Sequence, residues 1–231
     1  MDFARVIQRV VGRRGRGSVR ARDAAIFDVT AFSTEIDLEP LEVVRWAPCW
    51  MTRAERLLLY TLAFTLRPRR YLEIGTYRGG SALIVAAAMD ALGTDGRLVC
   101  VDTGPQVADE HWDRIRHRAT MLVGASPAIL PRAAAAAGGR FDLALVDGDH
   151  SYGGVTRDVR AVLGHLADGA YLLCHDGYND DVAAGLRDVL AEAGDEVVDC
   201  GLLTREVTHE PGGNEKMVRW GGLRLLRIRP D

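Results

Sequence analysis

From Arg70 onward the chain alternates short apolar runs with segments of helical period, and this alternation limits the folds open to it more than any other feature. The apolar runs fall near 70–75, 97–102, 119–123, 141–147, 170–175, 196–201 and 222–229; helical patterns lie near 80–92, 109–118, 126–137, 153–166 and 180–193. Continuous apolar runs of this length suit strands buried on both faces, as in a parallel sheet covered by helices. The expectation is an α/β, doubly wound, Rossmann-like seven-stranded sheet, mostly parallel. No helical pattern separates the last two runs, so they are expected to pair antiparallel and give the sheet one antiparallel edge strand. Gly93, Gly138, Gly139 and Gly169 stand where helices must stop.

The residues before this pattern read differently. Phe3, Val6, Ile7 and Val10 fall at i, i+3, i+4 and i+7, which predicts a short amphipathic helix over 2–12 with arginines on its outer side. Residues 23–50 mix acids with Trp46, Pro48 and Trp50 and keep no period, which suits an irregular cover. The chain therefore divides into an N-terminal helical arm and lid over 1–51 and a main domain over 52–231. Thr52-Arg53-Ala54-Glu55 has the form of a capping box, opening a helix that Pro68 ends near Leu66.

Composition narrows the class. Hydrophobic residues make up 48% of the chain, enough for a sizeable core, yet the longest apolar stretch, Ala82 to Met89, is only eight residues. No stable membrane insertion is expected from that. The formal charge of −3 hides an asymmetry: seven arginines against Asp2 within the first 22 residues leave the remainder at −9. An acidic body argues against nucleic acid as a partner. The four cysteines lie 51, 74 and 26 residues apart, too scattered for a metal knuckle or redox pair, so a reducing cytoplasm is the default location. An exposed amphipathic start is compatible with a homo-oligomer.

The segment Tyr71-Leu72-Glu73-Ile74-Gly75-Thr76-Tyr77-Arg78-Gly79-Gly80-Ser81 runs from a buried strand through a glycine turn into a helix. Such a turn lets backbone approach a ligand and offers helix amides to an anion. The spacing is Gly-x-x-x-Gly and not the Gly-x-Gly-x-x-Gly of dinucleotide binders, which disfavours a nicotinamide-dependent oxidoreductase. Asp102 ends the second strand, 27 residues after Gly75, where an acid can take both hydroxyls of a ribose or sit in a solvated turn.

Glu73-x-Gly75-x-x-x-Gly79-Gly80-Ser81, the Asp102 strand end and Val146-Asp147-Gly148-Asp149-His150-Ser151-Tyr152 together resemble the class I S-adenosylmethionine-dependent methyltransferases. More narrowly they resemble the metal-dependent small-molecule O-methyltransferases, including those acting on macrolide sugars, and the cephalosporin-hydroxylase-like proteins. The resemblance implies S-adenosylmethionine as cofactor. Glu73 would organise the glycine loop, and Gly75, Thr76, Gly79, Gly80 and Ser81 would wrap the amino-acid end. Asp102 would hold the ribose, and Ala125 and Ser126 would border the adenine. Ser126 also reads as the N-cap of its own helix.

Two further strand ends carry polar groups: Asp147 at the end of the 141–147 run, and His175 with Asp176 at the end of the 170–175 run. Neighbouring parallel strands would bring these to one spot, and a divalent ion is the economical reason to gather them. Carboxylates suit magnesium or manganese, and an imidazole shifts the choice toward manganese. The related enzymes place ligands at the positions of Asp147, His175 and Asp176, often with a carboxylate where this chain has His175. His150, three residues beyond Asp147, suits a general base, and the macrolide-sugar enzymes carry a catalytic histidine at that offset.

The expected activity is methyl transfer to a hydroxyl of a small-molecule or oligosaccharide acceptor, a vicinal diol or hydroxy-ether; a mannoside of methylmannose polysaccharide is one candidate. Tyr178, Asn179, Asp180, Trp46, Trp50 and the loop from Thr204 to Gly213 are further acceptor-lining candidates. A non-haem metal oxygenase built on His150, His175 and one aspartate is the alternative that keeps the cluster. A binding protein that retains the crevice without catalysis is another.

Overall fold

A computed structural model describes residues 37–211 and 217–230; the segment expected to form an amphipathic helix over 2–12 lies outside them. After one 3-10 turn at Glu39–Leu41, helix α1 spans Glu42–Trp46 and α2 spans Arg53–Leu66. The expected capping box is complete: Thr52 Oγ1 accepts from the Glu55 amide while Glu55 accepts from the Thr52 amide. Alternating elements follow: β1 Arg70–Ile74, α3 Gly80–Ala91, β2 Arg97–Asp102, α4 Asp109–Ile115, β3 Ala119–Val123, α5 Leu130–Ala137 and β4 Phe141–Val146. Then come α6 Tyr152–Leu163, β5 Leu166–Cys174, α7 Asp180–Ala193, β6 Val197–Leu202, β7 Thr208–Pro211, β8 Met217–Trp220 and β9 Arg224–Ile228.

Seven strands form one sheet in the order β3-β2-β1-β4-β5-β9-β6. All neighbours from β3 to β5 are parallel, and β9 runs antiparallel to both β5 and β6. The last two sheet strands thus pair antiparallel at one edge, with β9 inside and β6 outermost. Side-chain alternation along the strands builds two cores. Tyr71, Leu98, Cys100, Leu143, Leu145 and Leu173 meet the buried faces of α2 and α3, while Leu72, Val99, Val101, Ala144 and Leu172 meet α5, α6 and α7. Successive strand residues point to opposite faces, so both faces are covered, as the uninterrupted apolar runs require.

Two details depart from the sequence pattern. Gly169, expected to stop a helix, lies inside β5, because α6 ends at Leu163 and the strand begins early, with a register shift between the Phe141 and Leu143 pairings. The hairpin β7–β8, pairing Thr208 with Trp220 and Pro211 with Met217, forms a small second sheet the pattern did not announce. Its strands are short and mostly exposed, so no apolar run marked them.

Candidate active site

The chain enters the sheet in the middle at β1, winds outward to β3 and returns to β4, so the reversal falls between β1 and β4. Parallel α/β sheets bind ligands at the carboxyl ends of strands flanking such a reversal. The register shows why the site residues converge. Ile74 lies opposite both Val101 and Val146, and Val146 opposite Cys174, so Gly75, Asp102, Asp147 and His175 are the residues at or just beyond the ends of four adjacent strands. The ladder continues one step further through Gly75 N to Val101 O, Asp147 N to Ile74 O and His175 N to Val146 O. A cleft of about 560 Å³ opens there.

One end of the cleft is built for close backbone approach. Gly75 has φ +89°, and a Cβ there would fall 2.0 Å from the Asp147 carbonyl oxygen. Gly80 presses the start of α3 against the Pro48–Cys49 backbone, where a Cβ would meet Cys49 N at 2.5 Å. Gly79, in the left-handed region, precedes α3 with no side chain capping it, so the first-turn amides are left to the cleft. Of the nine residues expected to contact cofactor, Gly75, Thr76, Gly80, Ser81, Asp102, Ala125 and Ser126 line the cleft; Glu73 lies beneath it and Gly79 against Val107. Asp102 accepts the Tyr77 and Gly104 amides, both at 2.7 Å.

Several polar groups here lack a partner. Thr76 Oγ1, Ser126 Oγ and Glu73 Oε1 are buried and have no hydrogen-bond partner among the described residues. Buried polar atoms are nearly always satisfied, so hydroxyls on the wall of an open cleft are donors and acceptors set aside for a ligand. The residues therefore fit a nucleoside-bearing cofactor. Glu73 is wholly buried; burial raises its carboxyl to about 8, against the lowering by hydrogen bonds from Tyr71 and Ser81. Ser126, read as a helix N-cap, does not serve as one: α5 begins at Leu130 with Ile129 before it.

The other end of the cleft holds the acidic cluster. One ligand atom from each of Asp147, His150, His175 and Asp176 lies within 4.8 Å of all the others. His175 Nδ1 is 2.9 Å from Asp147 Oδ1 and 3.2 Å from Asp176 Oδ2. His150 Nε2 is 2.9 Å from Asp176 Oδ2 and 3.3 Å from Asp147 Oδ1. Burial alone would raise the Asp147 and Asp176 carboxyls, but the two imidazoles outweigh it and hold both low. Burial would lower His150, and hydrogen bonds with the two aspartates instead raise it to about 9. Two carboxylates this close demand positive charge between them, and the imidazoles carry it here. Two carboxylates and two imidazoles converging on one point also fit a divalent ion.

Asp176 sits at φ +55°, unusual for a residue with a side chain, and the Gly221 amide donates to its Oδ1. Trp220, at the end of β8, packs edge-on against the His150 ring at 5.4 Å between centroids. Neither Trp220 nor the buried Glu55, which touches His175, was singled out from the sequence as part of the site; one lay between motifs, the other inside a capping box that already explained it. Trp50 lines the cleft and is 81% exposed, its ring 5.4 Å from that of Tyr77. Trp46 instead packs on His111 and Arg114. Asn179 caps α7, Tyr178 donates to the Thr204 carbonyl, and Asp180 pairs with Arg219, so all three have structural partners. His209 pairs with Arg219 across the exposed hairpin.

Residues 72–177, just under half the chain, match a methyltransferase domain family. No curated protein matches the chain. Among solved structures, the chain is similar to cofactor-bound Rv0187 from MTB, at 23% identity over 83% of this chain and 88% of that one, with a TM-score of 0.59. It is also similar to the O-methyltransferase TomG from Streptomyces achromogenes, involved in tomaymycin synthesis and solved with S-adenosylmethionine (20% identity, 84% and 91% covered, TM-score 0.59). An O-methyltransferase from Bacillus cereus in complex with SAH is a third (17% identity, 85% and 93% covered, TM-score 0.57). The fold is thus the Rossmann-like methyltransferase fold, and the family match over 72–177 is to a methyltransferase domain. No helix among the described residues is long and apolar enough to cross a membrane.

Proposed function

We propose that this protein is an S-adenosylmethionine-dependent O-methyltransferase that requires a divalent metal ion and acts on a hydroxyl of a sugar or glycosylated small molecule. The observation that carries the reading is that one cleft joins the glycine turn and its unpartnered hydroxyls to the Asp147–His150–His175–Asp176 cluster. S-adenosylmethionine supplies a methyl group already activated on a sulfonium, and a magnesium or manganese ion supplies the pull that makes an alcohol more acidic.

The chain's own residues do the rest. Gly75, Thr76, Gly79, Gly80 and Ser81 receive the amino-acid end over the buried Glu73. Asp102 retains lone pairs beyond its two amide bonds for the ribose hydroxyls. Ala125 and Ser126 border the adenine. Asp147, His175 and Asp176 would hold the ion, whose charge would take over from the proton that the two aspartates otherwise keep on His150, freeing His150 Nε2, with Trp220 packed edge-on against its ring, to take the proton of the acceptor hydroxyl. Trp50 at the mouth offers an apolar face to one side of the acceptor.

The test is transfer of labelled methyl from S-adenosylmethionine to a panel of mono- and oligosaccharides, mannosides included, with magnesium or manganese and then with a chelator. Metal-dependent labelling of a hydroxyl is expected. Labelling indifferent to thorough chelation would remove the ion from the mechanism, and binding of NADH without binding of S-adenosylhomocysteine would remove the cofactor. The position of His150 inside the cluster favours one second reading, a non-haem metal oxygenase with two histidines and a carboxylate. Oxygen consumption by the iron-loaded protein would distinguish it.

A further inference from the structure

Glu55 is the buried neighbour of the cluster that the proposed chemistry leaves unused. Its carboxylate is wholly inaccessible to solvent, on the first turn of α2 and 120 residues before His175 in the chain. One oxygen, Oε2, accepts the Thr52 amide at 2.7 Å and faces His175 Nε2 at 3.2 Å. The other, Oε1, accepts the Gly222 amide at 2.5 Å, with the Thr204 hydroxyl at 3.5 Å. A capping box alone needs none of the contacts to His175, Gly222 and Thr204. An ionised carboxylate can only accept, so the nitrogen facing it must carry the hydrogen. His175 Nε2 is therefore an N–H; Nδ1, 2.9 Å from Asp147 and 3.2 Å from Asp176, is the nitrogen turned to the cluster, and its hydrogen is the one that an ion between those carboxylates would replace. A carboxylate behind an imidazole is also the arrangement that orients metal-binding histidines and raises their basicity.

We propose that Glu55 is a positioning residue that fixes His175 with hydrogen on Nε2, making Nδ1 a metal-ligating nitrogen and tilting the site toward manganese and similar transition ions over magnesium. This rests on the metal reading of the cluster. Nitrogen donors favour such ions over magnesium, which prefers oxygen. Without the carboxylate, His175 is free to change tautomer or turn, and the site reverts toward an oxygen-only set.

Calorimetric titration of the cofactor-free protein with manganese chloride and with magnesium chloride tests this. Wild type should bind manganese at least about tenfold more tightly than magnesium, since ligand type sets the preference. Glu55→Leu should lose about tenfold or more in manganese affinity, as loss of an outer-shell partner commonly does, and most of the preference. Thr52→Ala breaks the same capping box but leaves Glu55 and His175 in place; it should melt at lower temperature and keep wild-type manganese affinity. Because Glu55→Leu could fail to fold, nitrogen-15 spectra of wild type with zinc give an independent reading: His175 should show a protonated Nε2 and a metal-bound Nδ1. Unchanged affinity and preference in a folded Glu55→Leu, or zinc on Nε2, would overturn the role of Glu55 while the metal site stands. No manganese binding by wild type would overturn both.

Discussion

At the scale of single residues, the cleft keeps polar groups in states that water would not allow, and two substitutions expose this. Glu73 holds its proton to about 8 against an ordinary value of 4.5. A carboxyl that binds its proton more tightly folded than unfolded contributes most below its unfolded pKa, and the contribution fades as pH rises through the folded one. Glu73→Gln copies the protonated form at every pH. Its unfolding free energy relative to wild type should climb between pH 5 and 8, by at most about 1.4 kcal/mol per pH unit. Denaturant titrations of both proteins across that range provide the measurement, and parallel curves would show that Glu73 is not held neutral. Ser126 supplies the second case. Its hydroxyl has no partner among the described residues, so Ser126→Ala should leave free-protein stability within about 1 kcal/mol while weakening S-adenosylhomocysteine binding roughly 2- to 12-fold, the worth of one lost hydrogen bond. An effect on stability with none on binding would assign the hydroxyl to the fold and not to the ligand.

At the scale of elements, the wall of the cleft opposite the strand ends depends on one arginine. Arg56 donates to the carbonyls of Ala47, Cys49 and Met51 at 3.0, 2.5 and 2.9 Å, binding the 47–51 loop to α2 and so placing Pro48, Cys49 and Trp50 along the cleft. Arg56→Leu keeps the helix but takes the arginine's hydrogen bonds from three carbonyls, of which, among the described residues, Ala47 alone keeps a second donor, the Cys49 amide. A loss of about 2–3 kcal/mol is expected, with weaker cofactor binding, because hydrogen bonds from charged donors contribute more than neutral ones. Thermal unfolding with and without S-adenosylhomocysteine measures both effects, and unchanged binding would detach this loop from the site. The example also shows where legibility stopped. Strands β1 to β5 and the residues at their ends were readable because burial on both faces forces apolar runs and parallel pairing forces polar strand ends together. Glu55 and Trp220 were not, since each acts through contacts far along the chain that no local period records, and Arg56 was not, since its partners are carbonyls of a nearby loop whose course no side-chain pattern announces. The β7–β8 hairpin was missed for a related reason: exposed four-residue strands carry no hydrophobic signature.

At the scale of the whole molecule, the cleft is lined by the ends of five strands, from Ser126 after β3 to His175 after β5, together with the 48–50 loop. A ligand there touches residues anchored in both cores and binds the folded chain alone, so its binding free energy becomes folding stability. At one hundred times its Kd a single ligand adds about 2.7 kcal/mol. For a domain of this size roughly 2–4 °C accompanies each kcal/mol, so S-adenosylhomocysteine should raise the melting temperature by about 5–10 °C. On the proposed reading, manganese would bind at the opposite end of the same cleft, on Asp147, His175 and Asp176, which the cofactor wall does not share. Its shift should therefore add to that of S-adenosylhomocysteine, and Asp147→Asn should abolish the manganese part while sparing most of the other. A shift with NADH in place of S-adenosylhomocysteine would contradict the cofactor assignment. A manganese shift that survives Asp147→Asn would place the ion outside the cluster and leave the strand ends to hold only protons.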